Sequence, residues 1–135
     1  MNIRILETKE INIEDIITLY KANEWSSAEK PDLLYKALLN SETLITAWDD
    51  TKLVGLGNAI SDGYLTVYYP HLLVLPEYQG KGIGKMICDK MQEKYRDFHM
   101  QMLTADGKSI EFYTKNGFER AGQTEPMWIY QGNEH

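Results

Sequence analysis

This chain has one cysteine, Cys88, only four prolines, and no stretch of about twenty apolar residues. A lone cysteine excludes an internal disulfide and a cysteine metal cluster, and it suits a reducing compartment such as the cytoplasm. Without a long apolar run no membrane span is expected. The amino terminus, Met1-Asn2-Ile3-Arg4-Ile5-Leu6-Glu7, also lacks the charged-then-apolar layout of a secretion signal. Positive charge is scarce as well: 14 Lys and Arg stand against 20 Asp and Glu, a net charge of −6 with a pI near 5.0. Such a shell cannot neutralise a run of phosphates, so nucleic acid is not an expected partner. It is compatible with cationic amines, and equally with ordinary solubility. The three histidines are scattered and the Asp49-Asp50 pair belongs to a turn, so no metal site is expected.

What is present is concentrated in one segment. Leu72-Leu73-Val74-Leu75 reads as an apolar strand that stops at Pro76, and Glu77-Tyr78-Gln79-Gly80-Lys81-Gly82-Ile83-Gly84-Lys85 follows as a glycine turn opening an amphipathic helix. Glycine tolerates backbone conformations that let successive N–H groups converge on an anion. The helix start adds unpaired amides and the positive end of its dipole. The layout is that of a phosphate cradle.

Two familiar glycine loops are excluded by spacing. A P-loop needs four residues between its first glycine and Gly-Lys-Ser/Thr. Here three lie between Gly80 and Gly84-Lys85, and Met86 stands where the hydroxyl should be. A dinucleotide fingerprint needs a third glycine three residues after the second, a place held by Lys85.

The run Gln79-Gly80-Lys81-Gly82-Ile83-Gly84, directly after a Val-x-Pro strand end, matches instead the Gln/Arg-x-x-Gly-x-Gly/Ala signature of the GNAT (GCN5-related) N-acetyltransferases. Asp106-Gly107-Lys108-Ser109-Ile110-Glu111-Phe112-Tyr113, then Lys115-Asn116-Gly117-Phe118-Glu119, resembles that family's second element, with Asp106 in place of the usual Asn and Ser109 in place of Ala. The resemblance covers roughly residues 3 to 130, within one domain over residues 1–135. The Leu103–Tyr113 stretch, Asn23-Glu24-Trp25 and Asn58-Ala59-Ile60-Ser61-Asp62 are most similar to the bacterial and plastid arylalkylamine (serotonin) N-acetyltransferase-like branch.

The resemblance implies a mixed α/β fold: a mostly antiparallel sheet with splayed central strands and about four helices. It implies acetyl-CoA as co-substrate, without a metal. The strand edge at Leu72, Leu73 and Val74 would pair with the pantetheine arm. The turn from Gln79 through Gly80, Lys81, Gly82, Ile83, Gly84 and Lys85 would hold the diphosphate, chiefly through backbone. Tyr113 would be the general acid that protonates the leaving thiolate. The amine needs a base. Asp106 is one candidate, although its place before Gly-Lys-Ser suits a helix cap equally; His71 is another, since it titrates near neutrality. Trp25, Glu24, Asp62 and Tyr64 would border the acceptor. The acceptor that the resemblance implies is a small-molecule primary amine, an arylalkylamine first among them, and the resemblance makes the enzyme a candidate homodimer. The alternatives are a protein N-terminal or lysine acetyltransferase, and a non-catalytic acyl-CoA-binding module. Cys88 falls in a helical stripe and reads as core. His99 and His135 are given no role.

Periodicity completes the outline. Ile3 and Ile5 alternate as a first strand. Asn12 caps a helix carrying Ile13, Ile16, Ile17 and Tyr20, and Pro31 begins a second helix ending near Asn40. Strands Thr43–Trp48 and Lys52–Ile60 form a hairpin. Tyr64–Leu75 is one long strand with a bend near Pro70, and Gly82 to Tyr95 is helical. His99–Thr104, a helix Lys108–Asn116 stopped by Gly117, and a last strand including Met127–Tyr130 close the chain.

Overall fold

In the computed structural model, which describes residues 1–132, the amino-terminal alternation becomes the edge strand β1 (Ile3–Glu7). His135 lies outside the described residues. Asn12 occupies the N-cap position of α1 (Ile13–Ala22) with extended backbone, but its side chain makes no capping bond. Glu14 and Asp15 in the first turn supply the favourable charge instead. Ile16, Leu19 and Tyr20 form the buried face, three and four residues apart as a helix requires. After a 3₁₀ turn at Ser26–Glu29 comes α2 (Pro31–Leu39), with Pro31 at the first helical position, where its missing N–H costs no ladder bond.

β2 (Thr43–Asp49) and β3 (Lys52–Ser61) are the expected hairpin and the middle of the sheet, which is why they are buried along almost their whole length. Their register runs from Thr43 opposite Ala59 to Asp49 opposite Lys52, with an irregularity between Ala47 and Trp48. β4 (Thr66–Tyr68), β5 (Leu72–Val74) and β6 (Met100–Met102) complete a six-stranded sheet of order β1-β2-β3-β4-β6, in which β5 pairs only with β3. Every pairing is antiparallel except β4 with β6. The helices α3 (Ile83–Lys94) and α4 (Ser109–Lys115) follow β5 and β6.

One contact fixes where α3 lies. A Cβ built on Gly57 would come 2.8 Å from Ile87 Cγ2, and one on Gly55 would come 3.1 Å from Ile87 Cδ1. Two glycines in β3 thus let α3 rest directly on the strand, and Ile83, Ile87, Cys88 and Met91 are buried there. Burying such side chains contributes roughly 1.5–3 kcal/mol each.

The structure corrects the strand reading in three places. The expected single strand Tyr64–Leu75 is two strands, because the ladder ends at Tyr69, whose N–H donates to Met102 O at 2.9 Å, and Pro70 has no N–H to continue it. β6 is shorter than His99–Thr104. No strand forms at Met127–Tyr130: Met127 and Ile129 are 93% and 96% exposed, and alternating residues make a strand only when another edge pairs with them. The helix ending at Gly117 holds, with that glycine at φ +95°.

Candidate active site

The chain leaves β5 through Leu75 and a 3₁₀ turn at Pro76–Tyr78, then reverses at two left-handed glycines, Gly80 (φ +77°) and Gly82 (φ +85°). An L side chain is strained in that conformation. A Cβ on either would meet nothing within 4 Å, so the turn is bounded by open space rather than by packing. Gly82 is the N-cap of α3, and Met86 N–H to Gly82 O is the first bond of that helix. The amides of Ile83, Gly84 and Lys85 therefore have no acceptor within the helix. Unlike α1 and α2, α3 carries no acidic residue in its first turn, so none of its own carboxylates competes for the amides. An anion fits there on backbone chemistry.

Gly84 serves a different purpose. Its backbone is helical, and a Cβ there would stand 3.5 Å from Phe112 Cζ, an ordinary contact, so this position is where Phe112 of α4 packs over α3. Ile83 points its side chain into the core and can offer the site only its amide. Gln79 works within the chain: its Nε2 donates to Val74 O at 3.0 Å and to Asn23 Oδ1 at 3.2 Å. Asn23 Nδ2 in turn donates to Val74 O at 3.1 Å and Leu19 O at 3.0 Å, tying the turn to the end of α1. Lys85 pairs with Asp89 at 2.8 Å, and Lys81 lies 5.6 Å from the Tyr78 ring centroid.

Beyond Pro70 the two central strands part. β4 stays with β6 while β5 follows β3, and between them opens a small cleft lined by Asn58, His71, Leu72, Cys88, Leu103 and Tyr113 among others. Three expected site residues, His71, Leu72 and Tyr113, thus line one cavity, while the glycine turn at the end of β5 lies outside its lining. Leu73 and Val74 bury their side chains, and the Val74 carbonyl is occupied by Gln79 and Asn23.

Six tyrosines are buried or half-buried. Tyr20, Tyr35, Tyr69, Tyr78 and Tyr95 each hydrogen-bond through the hydroxyl to another described residue. Tyr113 does not. No fully buried side-chain N or O in the described structure lacks a partner, so the Tyr113 hydroxyl is not sealed from solvent, and the residue lines the cleft. Burial pushes its pKa up to about 12, which keeps the proton on the oxygen near neutrality. Burial likewise pushes the Cys88 thiol up to about 11, so it is a thiol rather than a thiolate beside the cleft.

His71 is held from three directions. Its N–H donates to Asn58 Oδ1 at 3.0 Å, its carbonyl accepts from Asn58 N–H at 3.2 Å, and its Nδ1 lies 2.7 Å from Tyr20 Oη. Trp25 packs edge-on against it, with ring centroids 4.8 Å apart at 90°. Trp25 thus touches a residue of the cleft wall and is not itself part of the lining. Glu24 is exposed at φ +59° in the turn before it.

The remaining candidates fall elsewhere. Asp106 is exposed and outside the cleft lining, and its side chain caps nothing: Ser109 Oγ donates to Asp106 O at 2.6 Å and accepts from Asp106 N–H at 3.0 Å. Asp62 Oδ1 accepts the N–H groups of Tyr64, Leu65 and Thr66, bonds that hold its carboxyl below the usual range and close the turn before β4. Tyr64 is 85% exposed on that turn. Among the described residues no group of three or more His, Cys, Asp or Glu could hold a metal ion.

Sequence reasoning missed Tyr20, Asn58 and the glycine pair Gly55 and Gly57. Tyr20 sits where a core residue of α1 belongs, and nothing local reveals a partner 51 positions away. The glycines carried a readable signal, since glycine inside a strand marks a close approach by another element.

A sequence profile of the acetyltransferase (GNAT) family matches residues 11–118. The chain is similar to GCN5-related N-acetyltransferase 2, chloroplastic, of Arabidopsis thaliana, 38% identical over 72 residues that make up 52% of this chain and 28% of that protein. It is 26% identical over 124 residues to the uncharacterized N-acetyltransferase ycf52 of Porphyra purpurea, 87% of this chain and 70% of that one. Among solved structures, a GNAT-family acetyltransferase from Streptococcus pneumoniae TIGR4 matches with a TM-score of 0.84 at 29% identity, covering 96% of this chain and 99% of that one. The chain thus spans well under half the length of the Arabidopsis relative.

Proposed function

The chain belongs to the GNAT acetyltransferase family, and from that premise we propose that it transfers an acetyl group from acetyl-CoA directly to the primary amine of a small molecule, an arylalkylamine by preference. One observation carries the reading: beyond Pro70 the sheet opens into a cleft that Tyr113 lines, and the strand β5 on its other side leads directly into a helix start free of carboxylates. The residues present fit coenzyme A. Amides of the turn at Gly80 to Lys85 would hold the diphosphate, and the β5 edge at Leu72 and Leu73 would hold the pantetheine arm. Acetyl-CoA supplies an activated thioester.

The protein's own work is placement and proton control. Amine and acyl carbon are confined between β5 and α4, which replaces an encounter in solution by one in a fixed geometry. Tyr113 keeps its proton near neutrality and donates it to the sulfur that leaves. Asp106 or His71 remains the candidate to take the proton from the amine, and His71 is the one on the cleft wall. Trp25 lies against His71, so a planar apolar substituent on the amine has a surface to meet there. Glu24, Asp62 and Tyr64 stay candidates for the outer rim. A cytoplasmic location and a homodimer belong to the same proposal; no helix among the described residues is long and apolar enough to cross a membrane.

Thiol release from acetyl-CoA, measured against arylalkylamines, diamines, aminosugars and peptides, tests the reading. Release with arylalkylamines is expected. Release with peptides alone would make this a protein acetyltransferase, and coenzyme A binding without release on any amine would make it a non-catalytic module.

A further inference from the structure

The last strand of the sheet has an open side. Met100 N–H donates to Leu65 O at 3.0 Å and Met102 O accepts from Tyr69 N–H at 2.9 Å, so both residues turn their backbone groups toward β4. Gln101 lies between them and turns its own N–H and carbonyl the other way, because consecutive residues of a strand address opposite neighbours. On that side the sheet ends, with no further strand among the described residues. Such an edge is a template for another chain.

The sheet face beside it is apolar. Register pairs Ile60 with Tyr68 and Tyr68 with Met102, which puts these three side chains and Met100 on one side of the sheet. They are 38% to 55% exposed, whereas Val67, pointing the other way, is completely buried. A contiguous row of this kind marks a contact surface.

The same chain carries the matching half. Beyond the turn closed by Thr124 N–H on Ala121 O, the backbone of Met127, Trp128 and Ile129 makes no hydrogen bond to another described residue. The segment has the shape of a strand all the same: the Trp128 and Tyr130 rings stack at 4.2 Å and 11°, as side chains two apart do on one side of an extended backbone. Its far end is held where the Tyr130 hydroxyl lies 3.3 Å from Ser26 Oγ. Met127 and Ile129 are 93% and 96% exposed.

We propose that Met127–Ile129 of one copy adds to the open edge of β6 in a second copy, and the reverse, so that two chains close on each other. Each copy gives a segment and receives one, which ends the assembly at two. A second copy is the partner because one sequence carries both halves of the missing ladder, an open edge and an unpaired strand. The area agrees with this. Four side chains of the segment, Met127 to Tyr130, and the four of the sheet face, at about 100 Å² each against the roughly 150–250 Å² that a fully covered aromatic ring buries, supply the roughly 800 Å² per partner of a stable interface. The inference rests on the homodimer of the reading above, to which it gives an interface, and it does not depend on acetyl transfer.

Sedimentation velocity of the full chain from low to high micromolar concentration reads the assembly, and amide hydrogen exchange followed by NMR at both ends of that range reads where it forms. A dimer is expected, with the Gln101 amide and an amide within 127–129 protected together only where the dimer is populated. Ile129→Lys places a charge at a position 96% exposed, so the monomer's fold should keep its thermal midpoint, while the dimer dissociates at least about 10-fold more readily. A monomer at every concentration would overturn the inference and the homodimer together. A dimer indifferent to Ile129→Lys, or one that leaves the Gln101 amide unprotected, would place the interface elsewhere and overturn the inference alone. Protection of 127–129 in a monomer would overturn it too, since the segment would then pair within its own chain. Thiol release from acetyl-CoA by the native chain reports on acetyl transfer separately from all of these.

Discussion

The two helices that wall the cleft are built in opposite ways. α3 buries Ile83, Ile87, Cys88 and Met91 and lies on the backbone of β3 at Gly55 and Gly57, while α4 is only seven residues long and has no fully buried side chain. What attaches α4 is the Phe112 ring over Gly84, and a bond from Gln92 Nε2 to Asn116 O at 2.7 Å. Local stability follows buried contact, so the half that would grip coenzyme A is rigid and the half that carries Tyr113 is the one able to adjust. An acyl-transfer site has use for that division. The diphosphate anchor need not move, whereas the proton donor must meet a sulfur whose position depends on what is bound.

The sharpest blow to this comparison comes from the α4 side. Tyr113→Phe should lower kcat by about 100- to 1,000-fold, the range for losing one positioned donor, with coenzyme A affinity unchanged in a direct binding titration. Loss of affinity in step with kcat would place Tyr113 in binding instead. Next is Gly57→Ala, which drives a methyl toward Ile87 and should cost about 1–3 kcal/mol of stability in chemical denaturation. An unaffected midpoint would show that α3 is not seated as described.

Smaller effects separate the glycines of the turn. Gly82→Ala forces an alanine into a left-handed conformation at a cost of about 1–2 kcal/mol and places a methyl in the cradle, so coenzyme A should bind about 10-fold more weakly. Gly84→Ala meets Phe112 at ordinary contact distance and should change affinity less than about 3-fold. If the two variants behaved alike, the separate purposes given to these glycines would be wrong.

The smallest effect is a control on neither helix. The carboxyl of Asp62 is held below the usual range by three backbone N–H groups, so its contribution is present above the ordinary carboxylate pKa and is lost as pH falls through the folded value. Asp62→Ala should lower Tm slightly near neutrality, and the difference should vanish in acid.

The same division governs what could be read from the chain alone. The glycine turn, the helix after it and the central hairpin are local patterns, and each appears where periodicity and spacing put it. So does Tyr113 on its short helix. Legibility failed wherever a partner distant in sequence decides the outcome. The alternation at Met127–Tyr130 looks like a strand but finds no edge, and the break at Pro70 divides one apolar run between two neighbours. Asp106 has the residue type of a base or a cap, yet Ser109 supplies the bonds around it. Tyr20 has the residue type of core, yet it is the hydroxyl that addresses His71.

The most direct measurement is calorimetric titration of the pure, folded protein with coenzyme A and, separately, with pantetheine, which keeps the arm and lacks the diphosphate. Saturable heat with coenzyme A and none with pantetheine over the same range is the expected result. Equal binding of the two, or no binding of either, would contradict a backbone cradle for the diphosphate at Gly80 and Gly82.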